Sequence, residues 1–568
     1  MSRRKPQWAS AAVLVVLALV LWGYVVGPMV STFLQSLGGN GGGLAEYLSF
    51  FDFRNGTQGE SMLGSIVISF LSVVTSGITG VFLAVLLRRW DFPFRRVCQV
   101  LVLVPIALPP LMGVEAFVLL YGIGGTFPQL LAELFHTKQA AFALDGFSGV
   151  LLVHTLTMYP YFYLTVAAAL EQADDSLEEA AYSLGASRFQ TWTRVLLPML
   201  TPAMVAGALL TFMSSMSSYT APLLFHVDKV MTQQIVIAKL NGQMGLASVV
   251  SVMLGIISII FLVLLRRYEQ RTRYATQSKG GARKRRRVSS PLWKAVIFVV
   301  ASVSTIFLIL PIVMIFILAF SVNGSWRTAA LPSRYTTQNF AGLFQNPQFF
   351  DAIKNSLEMS ALAVMGTILV GLAAAYVITR MRFRGKTAID IAMMLPWALP
   401  GTVVAINLIT AFATPSVFAF GRVLVGTFAI VPLAYSVRFT PLVFRSTTAS
   451  LSQLDESIEE AARSLGATWW YAFRIVVLPL LYRGIAGGAL LVFVNGIGEF
   501  VASILLYTPQ YRPLSIAIND ELYYANYGSA AALGVIQVLL VLAVVIAMRH
   551  IEGDSISALG EGGNAIPR

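Results

Sequence analysis

The sequence predicts an all-α membrane protein of about twelve transmembrane helices arranged as two parallel six-helix repeats. Three observations carry that expectation: an apolar composition, uninterrupted apolar runs of membrane length, and a self-match between the two halves of the chain. Of 568 residues, 57% are hydrophobic and only 12% are charged, and the mean hydropathy is +0.73. These values lie outside the range of ordinary soluble domains. Runs such as 11–30, 61–87, 244–265, 295–320 and 527–548 reach or exceed the roughly 20 residues that cross a hydrocarbon core as helix. They lack the ten-residue alternation of a membrane barrel strand, so helices satisfy the backbone.

The net charge of +13 raises the question of an acidic or nucleic-acid partner, and the placement of the cations answers it. If the chain begins inside and each span reverses it, the inner segments are 1–8, 88–96, 171–198, 266–294, 380–386, 446–480 and 549–568. They hold most of the Lys and Arg residues, as the positive-inside rule requires. The expected arrangement is multi-pass in a membrane, with both termini cytoplasmic and lipid rather than nucleic acid around the chain. Arg3, Arg4 and Lys5 precede an apolar stretch longer than a usual signal core and without a clear cleavage site, which favours a retained first span. The single cysteine, Cys98, leaves no intrachain disulfide.

The repeat divides the chain. Residues 174–198 (DDSLEEAAYSLGASRFQTWTRVLLP) align without a gap on 455–479 (DESIEEAARSLGATWWYAFRIVVLP), an offset of 281. Pro160 maps to Pro441 at that offset, whereas Pro105 and Pro109 map to Pro396 and Pro400 at 291. The first half therefore carries a ten-residue insertion between Pro110 and Tyr159. The expected domains are a first six-span half at 1–267, a basic cytoplasmic linker at 268–291, a second half at 292–550 and a tail at 551–568. The basic run Arg283–Arg287 is read as solvated, lipid-attracted linker.

Each copy of the repeated loop reads as a short helix. Ser176 with Glu179, and Ser457 with Glu460, have capping-box spacing, and Gly185 and Gly466 stop the helices. Between them Leu177, Ala180, Ala181 and Leu184, and likewise Ile458, Ala461, Ala462 and Leu465, recur at helical spacing. Two turns are too few to stand alone in water, so such a helix must dock on something. A second short helix follows to Pro198 or Pro479.

The pattern E-A-A, three residues, Gly, nine residues, then hydrophobic-x-L-P resembles the signature loop of binding-protein-dependent ABC importer permeases. Glu179, Ala180, Ala181, Gly185, Leu197 and Pro198 match it, as do Glu460, Ala461, Ala462, Gly466, Leu478 and Pro479. Val195 and Val476 stand where the family usually has Ile. The resemblance implies the type I permease fold in a bacterial inner membrane, two ATPase subunits into which the loops dock, and an extracytoplasmic solute-binding protein. It implies no catalytic residue, cofactor or metal in this chain, with ATP and Mg used by the partner ATPase. The one P-loop lookalike, Gly385-Lys386-Thr387, has Arg380 where the first glycine belongs and no strand before it.

Ser214–Ala221 aligns with Asn495–Ala502 in the span after each loop, and both are polar and helix-weakening. Such clusters are tolerated where backbone lines a cavity or packs on protein. Ser218, Tyr219, Asn495, Glu499 and, in an earlier span, Glu115 are the candidate path-lining residues, because an intramembrane carboxylate is costly unless paired or hydrated. Glu499 could instead cap or hydrate near a span end. His154 and His226 are too scattered for a metal cluster. The fused halves, with GEFVASILLY and RPLSIAI, look most like ferric-iron permeases, with thiamine, polyamine and aminoethylphosphonate importers as relatives. Glu499 and Tyr219 are oxygen donors that suit Fe³⁺. A secondary transporter driven by an ion gradient would also show parallel halves, but its coupling needs intramembrane carriers of charge and only two candidates occur; a structural or assembly protein leaves the duplicated docking loop unexplained.

Overall fold

A computed structural model describes residues 7–38, 42–53, 56–107, 110–138, 142–172, 175–272, 286–287, 290–325 and 331–561. The linker run Arg283–Arg285, the residues before Gln7 and the tail beyond Glu561 lie outside the described residues. Among the described residues, ten helices are long and apolar enough to span a bilayer. An eleventh is the pair Lys386–Ala398 and Gly401–Phe412, bent by 111°. Its break falls at Leu399, extended at φ −93° and ψ 137°, because the ring of Pro400 disfavours the helical conformation in the residue before it. The twelfth expected span, Ile430–Gln453, is a helix of 24 residues made less apolar by Arg438, Arg445 and its Ser/Thr-rich end.

The chain packs as two compact units, 40–339 and 1–39 with 340–568. Their borders cross the sequence repeat, because the first span of each half belongs to the other half's unit. In the unit that joins 1–39 to 340–568, Leu17 and Leu21 are buried in a core with Ala374, Ala375, Val377 and Phe444. Tyr24 donates to the Phe418 carbonyl at 2.7 Å. In the other unit, Phe298 and Phe307 of the span Pro291–Ala319 meet Phe94 and Tyr121, with ring centroids 6.4 and 5.8 Å apart.

Within each unit the repeat is kept to the level of single hydrogen bonds. Ser65 of the span Thr57–Arg89 accepts from the Met231 amide at 2.8 Å, and Ser356 of Pro347–Arg380 accepts from the Leu514 amide at 2.7 Å. Those serines stand 291 apart, the offset read from the prolines. Wide π-helical turns occur at Trp22–Val26, Trp192–Leu196 and Phe473–Val477. Each ends two residues before a proline: Pro28, Pro198 or Pro479. A proline ring clashes with the carbonyl four residues back, and a turn widened to i→i−5 relieves the clash.

Candidate functional site: paired loops and broken spans

The repeated loops form helices Asp175–Ser183 and Glu456–Ser464. Their starts differ from the sequence expectation. The second helix is capped by Asp455, whose side chain accepts from the Ser457 amide at 2.9 Å, and Ser457 lies inside the helix. Ser176 likewise lies inside the first helix. The capping box sits one helix later: Ser187 and Gln190 exchange bonds at 3.2 and 2.8 Å. Thr468 accepts from the Tyr471 amide at the matching place. The stops agree with the sequence. Gly185 and Gly466 adopt φ of 83° and 95°, and Ala186 and Ala467 donate back to Ala181 and Ala462 at 3.0 and 3.2 Å. That six-to-one bond is the Schellman closure, which needs a left-handed residue.

The burial pattern is the reverse of an ordinary amphipathic helix. Glu179, Ala180, Glu460 and Ala461 are exposed, as are both glycines, and Leu184 and Leu465 at the crests are 88% and 90% exposed. The buried side is acidic. Arg89 donates to Glu178 at 2.7 Å in the first copy. In the second, Tyr376 donates to Glu459 at 2.9 Å and accepts from Trp469 Nε1 at 2.7 Å. Arg380, the repeat partner of Arg89, turns to the Leu454 carbonyl at 2.8 Å and to Glu456 at 3.4 Å. Sequence reading passed over Glu178 and Glu459; the signal was the doubled Glu before Ala-Ala. Pro198 and Pro479 open the spans Leu197–Met216 and Leu478–Ile497.

Both of those spans unwind where the polar clusters were noted. After Met216 the chain leaves the helix at Ser217–Tyr219, and after Ile497 at Gly498–Ala502. Freed carbonyls in a bilayer need internal donors, and hydroxyls on the following helix supply them in both copies. Thr232 donates to Ser218 O at 2.8 Å, and Ser515 to Glu499 O at 2.8 Å.

The side chains at the two breaks differ. In the first unit, buried His154 lies 2.9 Å from Ser72 Oγ, 3.1 Å from Ser215 Oγ and, through Nε2, 2.9 Å from Ser218 Oγ. Ser72 already donates to the Ile68 carbonyl at 2.6 Å, so it accepts from Nδ1–H and leaves Nε2 to accept from Ser218. In the second unit, Glu499 Oε1 accepts from Arg438 at 2.6 Å and from the Ala502 amide at 2.8 Å. The carboxylate and the guanidinium are 7% and 20% exposed. Gly401 makes room for that guanidinium, since a Cβ there would lie 2.2 Å from Arg438 Nη1.

The remaining candidates scatter. Tyr219 is buried, Asn495 is exposed and donates to its own helix at Leu491 O, and Glu115 is buried with Oε1 unpartnered. No group of three or more His, Cys, Asp or Glu placed to hold a metal occurs among the described residues. Gly385, at φ 104°, opens a helix and follows the helix Pro347–Arg380 rather than a strand, so the strand–loop–helix order of a phosphate-binding loop does not occur there.

Repeated spans, two projecting loops and two unwound turns define the membrane subunit of a transporter. The chain belongs to the family described as binding-protein-dependent transport system inner membrane component, which matches residues 76–274 and 367–554. It is an ABC importer permease. A probable ABC transporter permease of Sinorhizobium fredii is 28% identical over 94% of both chains. A ferric transport system permease of Actinobacillus pleuropneumoniae is 27% identical over 86% of this chain and 71% of its own. A putative 2-aminoethylphosphonate transport system permease of Salmonella typhimurium is 29% identical over 46% of this chain and 96% of its own. Among solved structures, a bacterial ABC transporter that imports alginate matches at 23% identity and TM-score 0.37, over 46% of this chain and 98% of its own.

Proposed function

We propose that this chain forms the whole translocation path of an importer for ferric iron, with two separate ATPase subunits and an extracytoplasmic binding protein as partners, both termini cytoplasmic. The observation that carries the coupling role is the exposed apolar crest of each loop helix. Leu184 and Leu465 stand exposed beside Glu179-Ala180-Ala181 and Glu460-Ala461-Ala462, and an exposed crest on a helix of two turns needs a partner surface. ATP binding in the partners draws the loops together and opens the path toward the loaded receptor; hydrolysis resets it. The chain is the bistable element.

Iron is supported by the names of ferric relatives aligned over most of this chain. Glu499 in its present geometry serves Arg438 rather than a cation, so ligation of iron by Glu499 and Tyr219 would require the pair to open. The same guanidinium favours a second reading, an anionic solute such as an aminoethylphosphonate, named for relatives that match under half of this chain. The test is to purify the complex, supply receptors loaded with ferric iron or phosphonate, and measure stimulated ATP hydrolysis and uptake of radiolabelled solute. Stimulation and uptake with iron alone are expected. Uptake of radiolabelled iron unchanged on deleting the chain would reject the iron assignment.

A further inference from the structure

Along the span Thr57–Arg89, between it and Leu197–Met216, runs a groove of about 700 Å³. Its outer lip is a bilayer-facing stripe at helical spacing, Val74, Ile78 and Phe82, exposed by 43%, 68% and 46%. Gly77 and Phe162 form its floor. The one hydroxyl in the lining, Thr201, donates to the Leu197 carbonyl at 3.0 Å, and the other polar atoms of lining side chains are the indole N–H groups of Trp90 and Trp192 at one end. A volume of this size is in the range that encloses a small molecule. Here it is dry, elongated along a span and open to hydrocarbon.

We propose that the groove holds one acyl chain of a phospholipid, with the headgroup at the end marked by Trp90 and Trp192. Tryptophans collect at the membrane interface, and these two lie in the lining where the spans run into the repeated loop. Arg188, exposed and four residues before Trp192 on the same helical face, supplies a cation for the phosphate. The two copies differ along this groove. At the equivalent positions of the second copy, Gly77 becomes Ile368, Val81 becomes Leu372 and Val85 becomes Tyr376. Tyr376 packs edge-on against Trp469 and Phe473, with centroids 5.6 and 5.5 Å away. At these three positions the second copy carries larger side chains, while Phe82 and Phe162 give way to Ala373 and Val443. The site also adjoins the coupling loop, because Trp90 follows Arg89, which holds Glu178.

The test uses the full chain in nanodiscs containing a trace of phosphatidylglycerol with a diazirine in its acyl chain, followed by irradiation and peptide mapping. Crosslinks at Val74–Leu86 and Met204–Ala208 should exceed several-fold those on a stripe elsewhere that is at least as exposed on average, Val299, Val303 and Ile306. Importing the second copy's bulk, Val81→Leu with Val85→Tyr, should lower groove labelling to the level of that stripe and leave the stripe unchanged. Ala208→Leu fills the groove from the opposite span and should do the same if the first variant folds poorly. Groove labelling equal to the stripe, labelling undiminished in both variants, or a copurifying membrane peptide that shields the groove would each overturn the proposal.

Discussion

The unwound turn after Met216 is held by a neutral imidazole and three serines, and its repeat partner after Ile497 is held by an ion pair. His154 corresponds to Tyr435 and Ser218 to Glu499 at the offset of 281. Backbone requirements are met alike, by Thr232 in one copy and Ser515 in the other. The fold thus conserves what the bilayer demands of a broken helix, while the side chains that hold the break have diverged. An ion pair at one break only avoids doubling the desolvation cost that a buried pair carries.

The largest effect separates the two breaks directly. Arg438→Ala leaves the Glu499 carboxylate buried and uncompensated, which should cost about 3–5 kcal/mol. His154→Ala removes neutral contacts from hydroxyls that can reorient, and should cost about 1–3 kcal/mol. Chemical denaturation in detergent measures both, and equal losses would erase the distinction. Replacing both partners, Arg438→Leu with Glu499→Leu, should recover most of the stability. If Glu499 also lines the path, transport stays lost in that double variant.

The loops give the next contrast. Arg89→Ala takes the charged partner from buried Glu178 and should cost about 3 kcal/mol, whereas Tyr376→Phe removes hydrogen bonds from Glu459 and Trp469 and should cost about 1 kcal/mol. Hydrogen exchange of each loop helix reads the two effects locally. Faster exchange of Asp175–Ser183 than of Glu456–Ser464 across this pair of variants is the expected order.

Much of this architecture was legible from residues alone. The gap-free match of 174–198 on 455–479 located the loops, Gly185 and Gly466 marked their stops, and the polar clusters at Ser214–Ala221 and Asn495–Ala502 located the breaks. The exchange of first spans between units was not legible, because a uniformly apolar helix carries no period that says which neighbour it faces. The π turns were hidden behind their prolines, whose effect on the preceding carbonyl is geometric. Glu499 attracted notice as an intramembrane acid while its partner, Arg438, stood 61 residues away in a span that could have been searched for a cation. The capping residue was misplaced because Asp455 and Ser457 are both good caps, and only backbone geometry chooses between them.

Where the copies are alike, equal effects are expected. Gly185→Ala and Gly466→Ala meet open space but force a side chain into left-handed backbone, at about 1–2 kcal/mol each. Exchange at the loop helix ends should rise equally in both; a difference would mean that the Schellman closures are not equivalent in solution.

The smallest effect is one of pH. The Ser457 amide holds the Asp455 carboxyl below the usual carboxylate range. Its capping contribution is therefore present above the unfolded carboxylate pKa and lost as the pH falls through the lowered one. Exchange at the start of Glu456–Ser464, corrected for intrinsic pH dependence, should rise only at acid pH, and Asp455→Asn should remove that dependence.

The central claim is that two matching loops face one side of the membrane and receive an external motor. Single cysteines at Glu179→Cys and Glu460→Cys, in a Cys98→Ser background, can be labelled with a membrane-impermeant reagent in sealed vesicles of known orientation. They can then be crosslinked to whatever nucleotide-hydrolysing subunit copurifies. Both positions should react from the cytoplasmic face only and both should crosslink to that subunit. Reaction from opposite faces, or crosslinking of neither, would contradict the account.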